Sequence, residues 1–200
     1  MDGLIAVFGG TFDPPHIGHL ILADEARVSL GARRVLWVVT AAPPHKPAAP
    51  RSPVEVRLHM VEAAIAGNAD FEISRADIDR PPPHYAAGTM AWLRERMPGM
   101  RFVYLIGSDS LRDLPTWHTP GKFLSQCEAL GVMRRPGAEP DLAALETQIP
   151  GLAAKLRFVV APLVAISGRD IRDRVRRGAP YRYLVPRAVA DIIDEERLYR

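Results

Sequence analysis

Two histidines near the start of the chain, His16 and His19, have the spacing and the surroundings of a phosphate site. They follow a glycine-rich turn at 9–15, and the apolar run 4–8 before that turn predicts a buried strand. The segment 17–30 after them predicts a helix. A helix N-terminus presents unpaired N–H groups and the positive end of the helix dipole, so this turn is suited to bind phosphate.

The histidine pair has two other interpretations, a metal pair and a buried structural histidine. A metal is disfavoured because no further cluster of histidine or cysteine stands nearby in the sequence. Gly18 lies between the two histidines and lets a backbone or a ligand approach closely. The turn lacks the Lys-Ser/Thr of a Walker loop and the glycine spacing of the dinucleotide fingerprint. The pattern therefore favours direct contact with phosphate, through a different motif.

The composition indicates a globular cytoplasmic protein. The chain has 200 residues, 48% of them hydrophobic, which is ample for a core. No apolar run approaches the roughly 20 residues of a membrane span, and no signal peptide is recognisable. The single cysteine, Cys127, excludes an internal disulfide and is expected to be buried. A net charge of +3 does not call for nucleic acid.

Strands and helices alternate along the chain, which predicts an α/β fold with a Rossmann-like doubly wound parallel sheet and helices on both faces. The predicted strands are 4–8, 35–39, 71–73, 102–106, 129–133 and 158–160. The predicted helices are 17–30, 53–66, 86–96, 122–126, 141–148, 171–177 and 186–196. Residues 1–200 are expected to form one domain, with a C-terminal helical segment at about 166–200 packed on it.

Four polar segments each follow a predicted strand: 9–19, 40–46, 107–109 and 166–172. Because ligands bind at the carboxyl ends of the strands in such sheets, these segments are expected to share one site. Ser108 and Asp109 are also plausible helix N-caps, and both roles are compatible. The basic run 169–177 is expected to be a solvated face with ion pairs, since no aromatic residues interleave it as in a nucleic-acid platform.

The stretch Gly-Gly-Thr-Phe-Asp-Pro-Pro-His-Ile-Gly-His at 9–19 resembles the signature of the nucleotidylyltransferase superfamily, whose His-x-Gly-His residues hold the phosphates of ATP. The rest of the chain is similar to one member, the bacterial nicotinate-nucleotide adenylyltransferase family. The matching pieces are Pro-Pro-His-Lys at 43–46, Ile-Gly-Ser-Asp-Ser at 106–110, Leu-Pro-Thr-Trp-His at 114–118, Arg-Arg-Pro-Gly at 134–137, Ile-Ser at 166–167 with Ile-Arg at 171–172, and Tyr-Leu-Val-Pro at 183–186 with Leu-Tyr at 198–199.

The resemblance implies a reaction of ATP with nicotinate mononucleotide. The phosphate of the mononucleotide attacks the α-phosphorus of ATP and displaces pyrophosphate, which gives nicotinate adenine dinucleotide on the route to NAD. Such a transfer needs no covalent nucleophile, only positioning and charge stabilisation. Mg²⁺ is expected with ATP, held mainly by phosphates and water, so no dedicated metal site is expected. Neither nucleic acid nor membrane is expected as a partner, and the protein is expected to be a monomer or a homodimer.

The resemblance also assigns roles to residues of this chain. The catalytic residues would be His16, His19, Lys46 and Arg172. ATP would be bound by Gly9, Gly10, Thr11, Phe12, His16, Gly18, His19, Gly107, Asp109, Ser167 and Arg172. The mononucleotide would be bound by Lys46, Tyr85, Ala86, Trp117 and Arg135, with the tryptophan stacked on the nicotinate ring.

The chain departs from the family at two places. Where the family has Ile-Ser-Ser-Thr, this chain has Gly168 and Arg169 after Ser167, so that an arginine stands in place of a hydroxyl. Where the family has Ser-Tyr-Thr, this chain has His-Tyr-Ala at 84–86, and a hydroxyl near the nicotinate moiety is lost. The alternatives are an adenylyltransferase acting on nicotinamide mononucleotide or another phosphorylated acceptor, and a non-catalytic nucleotide sensor or RNA-binding module.

Overall fold

Six parallel strands form one sheet in the order β3-β2-β1-β4-β5-β6. The structure is a computed structural model that describes residues 3–41, 51–134 and 140–200. The strands are β1 (Leu4–Gly10), β2 (Arg34–Val39), β3 (Phe71–Ser74), β4 (Arg101–Gly107), β5 (Ala129–Met133) and β6 (Leu156–Val159). This is the doubly wound order, and it confirms the predicted fold class.

Nine helices in the described part of the chain connect and cover the strands. They are α1 (Ile17–Leu30), α2 (Val54–Ile65), α3 (Ala86–Arg96), α4 (Ser108–Arg112), α5 (Pro120–Gln126), α6 (Leu142–Gln148), α7 (Leu152–Lys155), α8 (Gly168–Arg176) and α9 (Arg187–Glu195). The start of α4 agrees with the predicted helix N-terminus at 107–109, whereas the sequence did not predict α7, because four residues are too few to show a helical period. None of the described helices is long and apolar enough to cross a membrane.

The sheet is covered on both faces, as the nearly continuous apolar strands predict. Alternate side chains of β1 belong to different clusters of buried residues: Ile5 and Val7 to one, Ala6 and Phe8 to the other. Trp37 of β2 is completely buried in the second cluster. Cys127 is also buried, as expected, and burial raises the pKa of its thiol to about 12.

A third apolar cluster attaches the C-terminal helices to α2. Met60 of α2 packs with Ile171 and Val175 of α8 and with Val189 and Ile193 of α9. This packing sets the direction of α8, whose N-terminal end then reaches the carboxyl edge of the sheet. The predicted start of this helix at 171 is wrong by three residues, because the hydroxyl of Ser167 accepts the N–H of Asp170 at 3.1 Å and caps a helix that begins at Gly168.

The exposed side of α8 carries the ion pairs that its sequence predicts. Arg174 pairs with Asp170 at 2.8 Å and Arg176 with Asp173 at 2.6 Å, both within one turn of the helix. Pairs of this spacing stabilise a helix only slightly. Two of the five arginines in the basic run are therefore paired with aspartates of the same helix.

Candidate active site

The histidine pair occupies the first turn of α1. His16 is the N-cap residue, with an extended backbone (φ −142°, ψ 168°), and its N–H donates to Nδ1 of His19 at 3.2 Å. The two rings stack with centroids 3.6 Å apart. Because a neutral imidazole that accepts at Nδ1 carries its proton at Nε2, this bond makes Nε2 of His19 a donor. A Cβ at Gly18 would lie 3.2 Å from the His16 ring, so a glycine suits the stack.

Two aromatic side chains pack against the ring of His19. Phe8 and Phe12 both meet it edge to face, with centroid distances of 5.9 and 5.1 Å. Phe12 is buried although its backbone has a positive φ of 48°. A Cβ at Gly10 would come within 2.7 Å of the Phe12 ring, which explains the glycine at the end of β1. The turn therefore gives His19 one orientation.

Asp13, in the same turn, connects three distant parts of the chain. Its backbone carbonyl accepts from Nη1 of Arg172 at 2.6 Å, and its carboxylate accepts from the Tyr199 hydroxyl at 2.7 Å and the Ser52 N–H at 3.3 Å. Burial first, and the Asp13 charge second, raise the pKa of Tyr199 far above its usual value, so the phenol stays a donor. A Cβ at Gly168 would lie 3.0 Å from the Asp13 carbonyl, so glycine there lets α8 approach the turn.

Arg57 of α2 ties the end of β1 to the end of β2. Its side chain is almost completely buried, and its guanidinium donates to four backbone carbonyls: Thr11 (2.8 Å), Thr40 (2.9 Å), Ala41 (3.2 Å) and Ser52 (3.0 Å). Burial lowers the pKa of this guanidinium, and the Asp13 charge partly opposes that shift. Sequence reasoning missed Arg57, because an arginine within a helical pattern is usually exposed.

A cavity of 670 Å³, here called the Arg172 cavity, lies between this turn and α8. Three arginines and two histidines line it, opposed by two aspartates: Arg51, Arg169, Arg172, His16, His19, Asp13 and Asp109. Three further residues of this wall were also predicted from the sequence: Thr11, Phe12 and Ser167. An excess of cationic side chains beside a helix N-terminus is the environment that a polyphosphate requires.

A second cavity, of 290 Å³, lies over the ends of β1 and β4 and is here called the Trp117 cavity. The predicted residues in its wall are Gly9, His19, Tyr85, Ala86, Gly107, Asp109 and Trp117. Trp117 packs on Tyr104 and Phe123, with centroids 6.4 and 5.2 Å away, and keeps part of its ring exposed. Tyr85 stacks on His118 at 4.2 Å. These flat walls suit an aromatic ring.

The helix after β4 begins differently from the N-cap interpretation of its sequence. The N-cap position falls on Gly107 rather than on Ser108 or Asp109. The Ser108 hydroxyl donates to the carbonyl of Met133 at 3.2 Å and joins α4 to β5. Asp109 lies in the wall of both the Trp117 and the Arg172 cavities. Its carboxylate is therefore placed for a ligand that extends from one cavity into the other.

A third cavity, of 360 Å³ and here called the Leu163 cavity, lies beside the Arg172 cavity. The segment 161–166 lines it, together with His16, Gly18, Ser167 and Arg134, whose guanidinium lies 4.6 Å above the Phe158 ring. His16 and Ser167 line both this cavity and the Arg172 cavity. His19 and Asp109 line both the Arg172 and the Trp117 cavities. Leu22 lines both the Leu163 and the Trp117 cavities, so each of the three cavities adjoins the other two.

The structure thus brings most of the predicted residues to one edge of the sheet. Gly10 lines none of the three cavities, and its lack of a side chain leaves room for the Phe12 ring. Lys46 and Arg135 lie outside the described residues. Within residues 3–41, 51–134 and 140–200, no group of three or more histidine, cysteine, aspartate or glutamate side chains is placed to hold a metal ion.

Comparisons with known proteins identify the family of the chain. Residues 7–174 match the cytidylyltransferase-like family. A probable nicotinate-nucleotide adenylyltransferase of Thermomicrobium roseum is 41% identical over 196 residues, which is 98% of this chain and 91% of that protein. Another of that name, from Roseiflexus castenholzii, is 42% identical over 200 residues, which is 100% of this chain and 99% of that protein.

Solved structures show the same fold. Plasmodium falciparum nicotinic acid mononucleotide adenylyltransferase complexed with NaAD aligns with a TM-score of 0.78 over 98% of this chain and 97% of that one. The two sequences are 17% identical, so this likeness concerns the fold alone. It agrees with the doubly wound α/β fold of the chain.

Proposed function

The chain belongs to the nicotinate-nucleotide adenylyltransferases of the cytidylyltransferase-like family, and from this premise we propose that it transfers the adenylyl group of ATP to nicotinate mononucleotide. The observation that carries the proposal is the group of three adjoining cavities, in which the cationic Arg172 cavity shares wall residues with both the aromatic Trp117 cavity and the Leu163 cavity. A dinucleotide likewise has two nucleoside parts joined through its phosphates.

Each part of the two substrates is proposed to occupy one of these three cavities. The adenosine of ATP occupies the Leu163 cavity, its triphosphate the Arg172 cavity, and nicotinate mononucleotide the Trp117 cavity. His19 and Asp109 stand at the junction of the last two, where the reacting phosphates must meet. The Asp109 carboxylate is proposed to accept a hydrogen bond from a ribose hydroxyl at this junction. Holding both reactants in one geometry removes much of the entropic barrier to their reaction.

The reaction is a direct displacement at phosphorus. A phosphate oxygen of the mononucleotide forms a bond to the α-phosphorus, and the bond from that phosphorus to the bridging oxygen of the β-phosphate breaks. The electron pair leaves with pyrophosphate. The Nε2–H of His19 donates to an oxygen of the transferred group, while His16, Arg172 and Lys46 bind the negative charge of the remaining phosphates. Donors that are already oriented need no reorganisation as this charge develops.

The other predicted residues have binding roles. Gly9, Gly18 and Gly107 allow close approach of the ligand or its neighbours, and Thr11, Phe12 and Ser167 shape the phosphate site. Tyr85, the backbone of Ala86 and Arg135 contact the mononucleotide, and Trp117 stacks on its ring. Because Ala86 replaces a hydroxyl, activity with nicotinamide mononucleotide is the second candidate.

Mg²⁺ is proposed to enter with ATP. Mg²⁺ keeps several waters and binds through phosphates and one or two carboxylates. The Arg172 cavity is rich in N–H donors, and the Asp13 carboxylate in its wall already accepts from Tyr199 and Ser52, so the phosphates and water would hold most of the ion's coordination sphere. When bound with the triphosphate, the ion would neutralise phosphate charge.

The whole chain is proposed to act as one cytoplasmic domain. Arg172 belongs to α8, which is held on α2 by Ile171 and Val175, so the phosphate site depends on the C-terminal segment. The reaction is tested directly with the purified protein, ATP, Mg²⁺ and nicotinate mononucleotide. Release of pyrophosphate that depends on the mononucleotide supports the proposal. No release with the acid contradicts it, and release with the amide alone supports the second candidate.

Trp117→Ala is expected to raise the KM for nicotinate mononucleotide by about tenfold, because a stacked aromatic ring contributes about 0.5–1.5 kcal/mol beyond its buried area. The KM for ATP should change by less than about twofold, since Trp117 lines neither the Arg172 nor the Leu163 cavity. Steady-state kinetics with each substrate varied in turn measures both values.

Trp92→Ala is the matched control. Trp92 lies on α3 beneath the guanidinium of Arg96 and outside all three cavities. Both KM values of this variant should stay near those of the unmodified protein. A loss confined to ATP in the Trp117 variant would refute the assignment of the cavities.

A further inference from the structure

The wall of the Trp117 cavity contains a buried carboxylate that the reaction as described does not use. Asp77 is 3% exposed, and Thr89 of α3 is 2% exposed beside it. The Thr89 hydroxyl donates to Oδ1 of Asp77 at 2.5 Å, and Nη2 of Arg80 approaches the same oxygen at 3.2 Å. The Arg80 side chain is itself only 14% exposed. A shielded ion pair thus forms part of the acceptor side of the site.

Arg80 also holds the segment that leads into α3. Its Nη1 donates to the carbonyl of Pro83 at 2.7 Å, and its Nη2 lies 3.5 Å from the carbonyl of Tyr85. A Cβ at Gly88 would come within 2.7 Å of Nη1, so the guanidinium lies against the backbone of α3. One side chain therefore neutralises Asp77 and places the backbone just before Ala86.

The charge of Asp77 acts on another group in the wall of the Trp117 cavity. Burial first, and the Asp77 carboxylate second, raise the pKa of the Tyr104 phenol, another group in the same wall. A nicotinate ring carries a carboxylate, whereas a nicotinamide ring is neutral. An unpaired aspartate in this wall would repel the nicotinate carboxylate, and it would leave the binding of the neutral nicotinamide ring almost unaffected.

We propose that Arg80 is a positioning residue that selects the acidic acceptor: it cancels the Asp77 charge in the wall of the Trp117 cavity and fixes the backbone that enters α3. The inference rests on the proposed function. It identifies the acceptor class as a mononucleotide with an anionic ring substituent. The selectivity lies in a side chain that forms no part of the cavity wall.

The test compares kcat/KM for nicotinate and nicotinamide mononucleotides in Arg80→Gln. We expect the value for the acid to fall by about tenfold or more and the value for the amide by less than about threefold, since an unpaired buried charge acts on charged ligands most strongly. Arg80→Lys should keep most of the preference. The double variant Asp77→Asn/Arg80→Gln should restore the ratio of the two values, because it removes both charges.

Arg75→Gln is the matched control from the same loop. Arg75 pairs with Asp79 and Glu55 at the surface and should leave the ratio unchanged. An equal loss with both mononucleotides in Arg80→Gln, or a double variant that does not restore the ratio, overturns the inference. If Arg80→Gln does not fold, the Asp77→Asn variant provides the test of the inference instead. It should shift the ratio toward the acid, and a folded Asp77→Asn with an unchanged ratio overturns the inference.

The proposed function can fail separately from this inference. An unmodified protein that releases no pyrophosphate with the acid contradicts the function itself. An unmodified protein that prefers the acid, together with an Arg80→Gln variant of unchanged ratio, contradicts only the role of Arg80.

Discussion

His19→Ala is expected to lower kcat by about 100- to 1,000-fold, which is the usual effect of removing one oriented donor from a developing oxyanion. The hydrogen bond from the His16 N–H to Nδ1 makes Nε2 the donor, and the ring lies at the junction of the Arg172 and Trp117 cavities. The affinity for ATP should change by less than about threefold, because the contact strengthens in the transition state.

Pyrophosphate release at saturating substrates measures kcat, and equilibrium binding of ATP measures the affinity. His59→Ala is the matched control, since His59 is an exposed residue of α2 outside the three cavities. Its kcat should equal that of the unmodified protein. A His19→Ala variant with unchanged kcat, or one whose loss lies wholly in ATP affinity, would remove the role given to this side chain.

Arg57→Met is expected to lower the free energy of unfolding by about 3–5 kcal/mol, the range found when one partner of a buried charged network is removed. Methionine fills part of the space but leaves four backbone carbonyls without their donor. It also removes a positive charge that interacts with the buried Asp13. Urea denaturation, followed by circular dichroism, gives the free energy.

Arg187→Met provides the comparison, because the Arg187 side chain is 94% exposed and its partner Asp191 is 3.7 Å away. Its effect should be below about 0.5 kcal/mol. A loss of less than about 1 kcal/mol in Arg57→Met would show that the four bonds do not stabilise the site.

The parts of the fold that the sequence predicted are those with a strong local pattern. The helix over Ile17–Leu30 was predicted at its observed bounds, because an N-terminal turn, an apolar pattern and a following glycine mark it. The Ser108 hydroxyl joins α4 to β5 through one hydrogen bond, and the Ser167 hydroxyl caps α8 through another. The spacing of apolar residues along the sequence does not reveal such single bonds.

The residues that support the site were harder to predict than those that line it. Tyr199 and Asp13 are 186 positions apart, and nothing local connects them. Arg57 and Arg80 have ordinary surface residue types, and their burial follows from the tertiary packing alone. In contrast, His16, His19 and Trp117 belong to recognisable motifs, so a resemblance could locate them without a structure.

The most direct test is the ratio of kcat/KM for nicotinate mononucleotide to kcat/KM for nicotinamide mononucleotide, measured by pyrophosphate release with ATP and Mg²⁺ under identical conditions. We expect the acid to be preferred by at least about tenfold, a difference of about 1.4 kcal/mol in transition-state binding. Equal values, or a preference for the amide, would contradict the assignment of the Trp117 cavity to the nicotinate moiety.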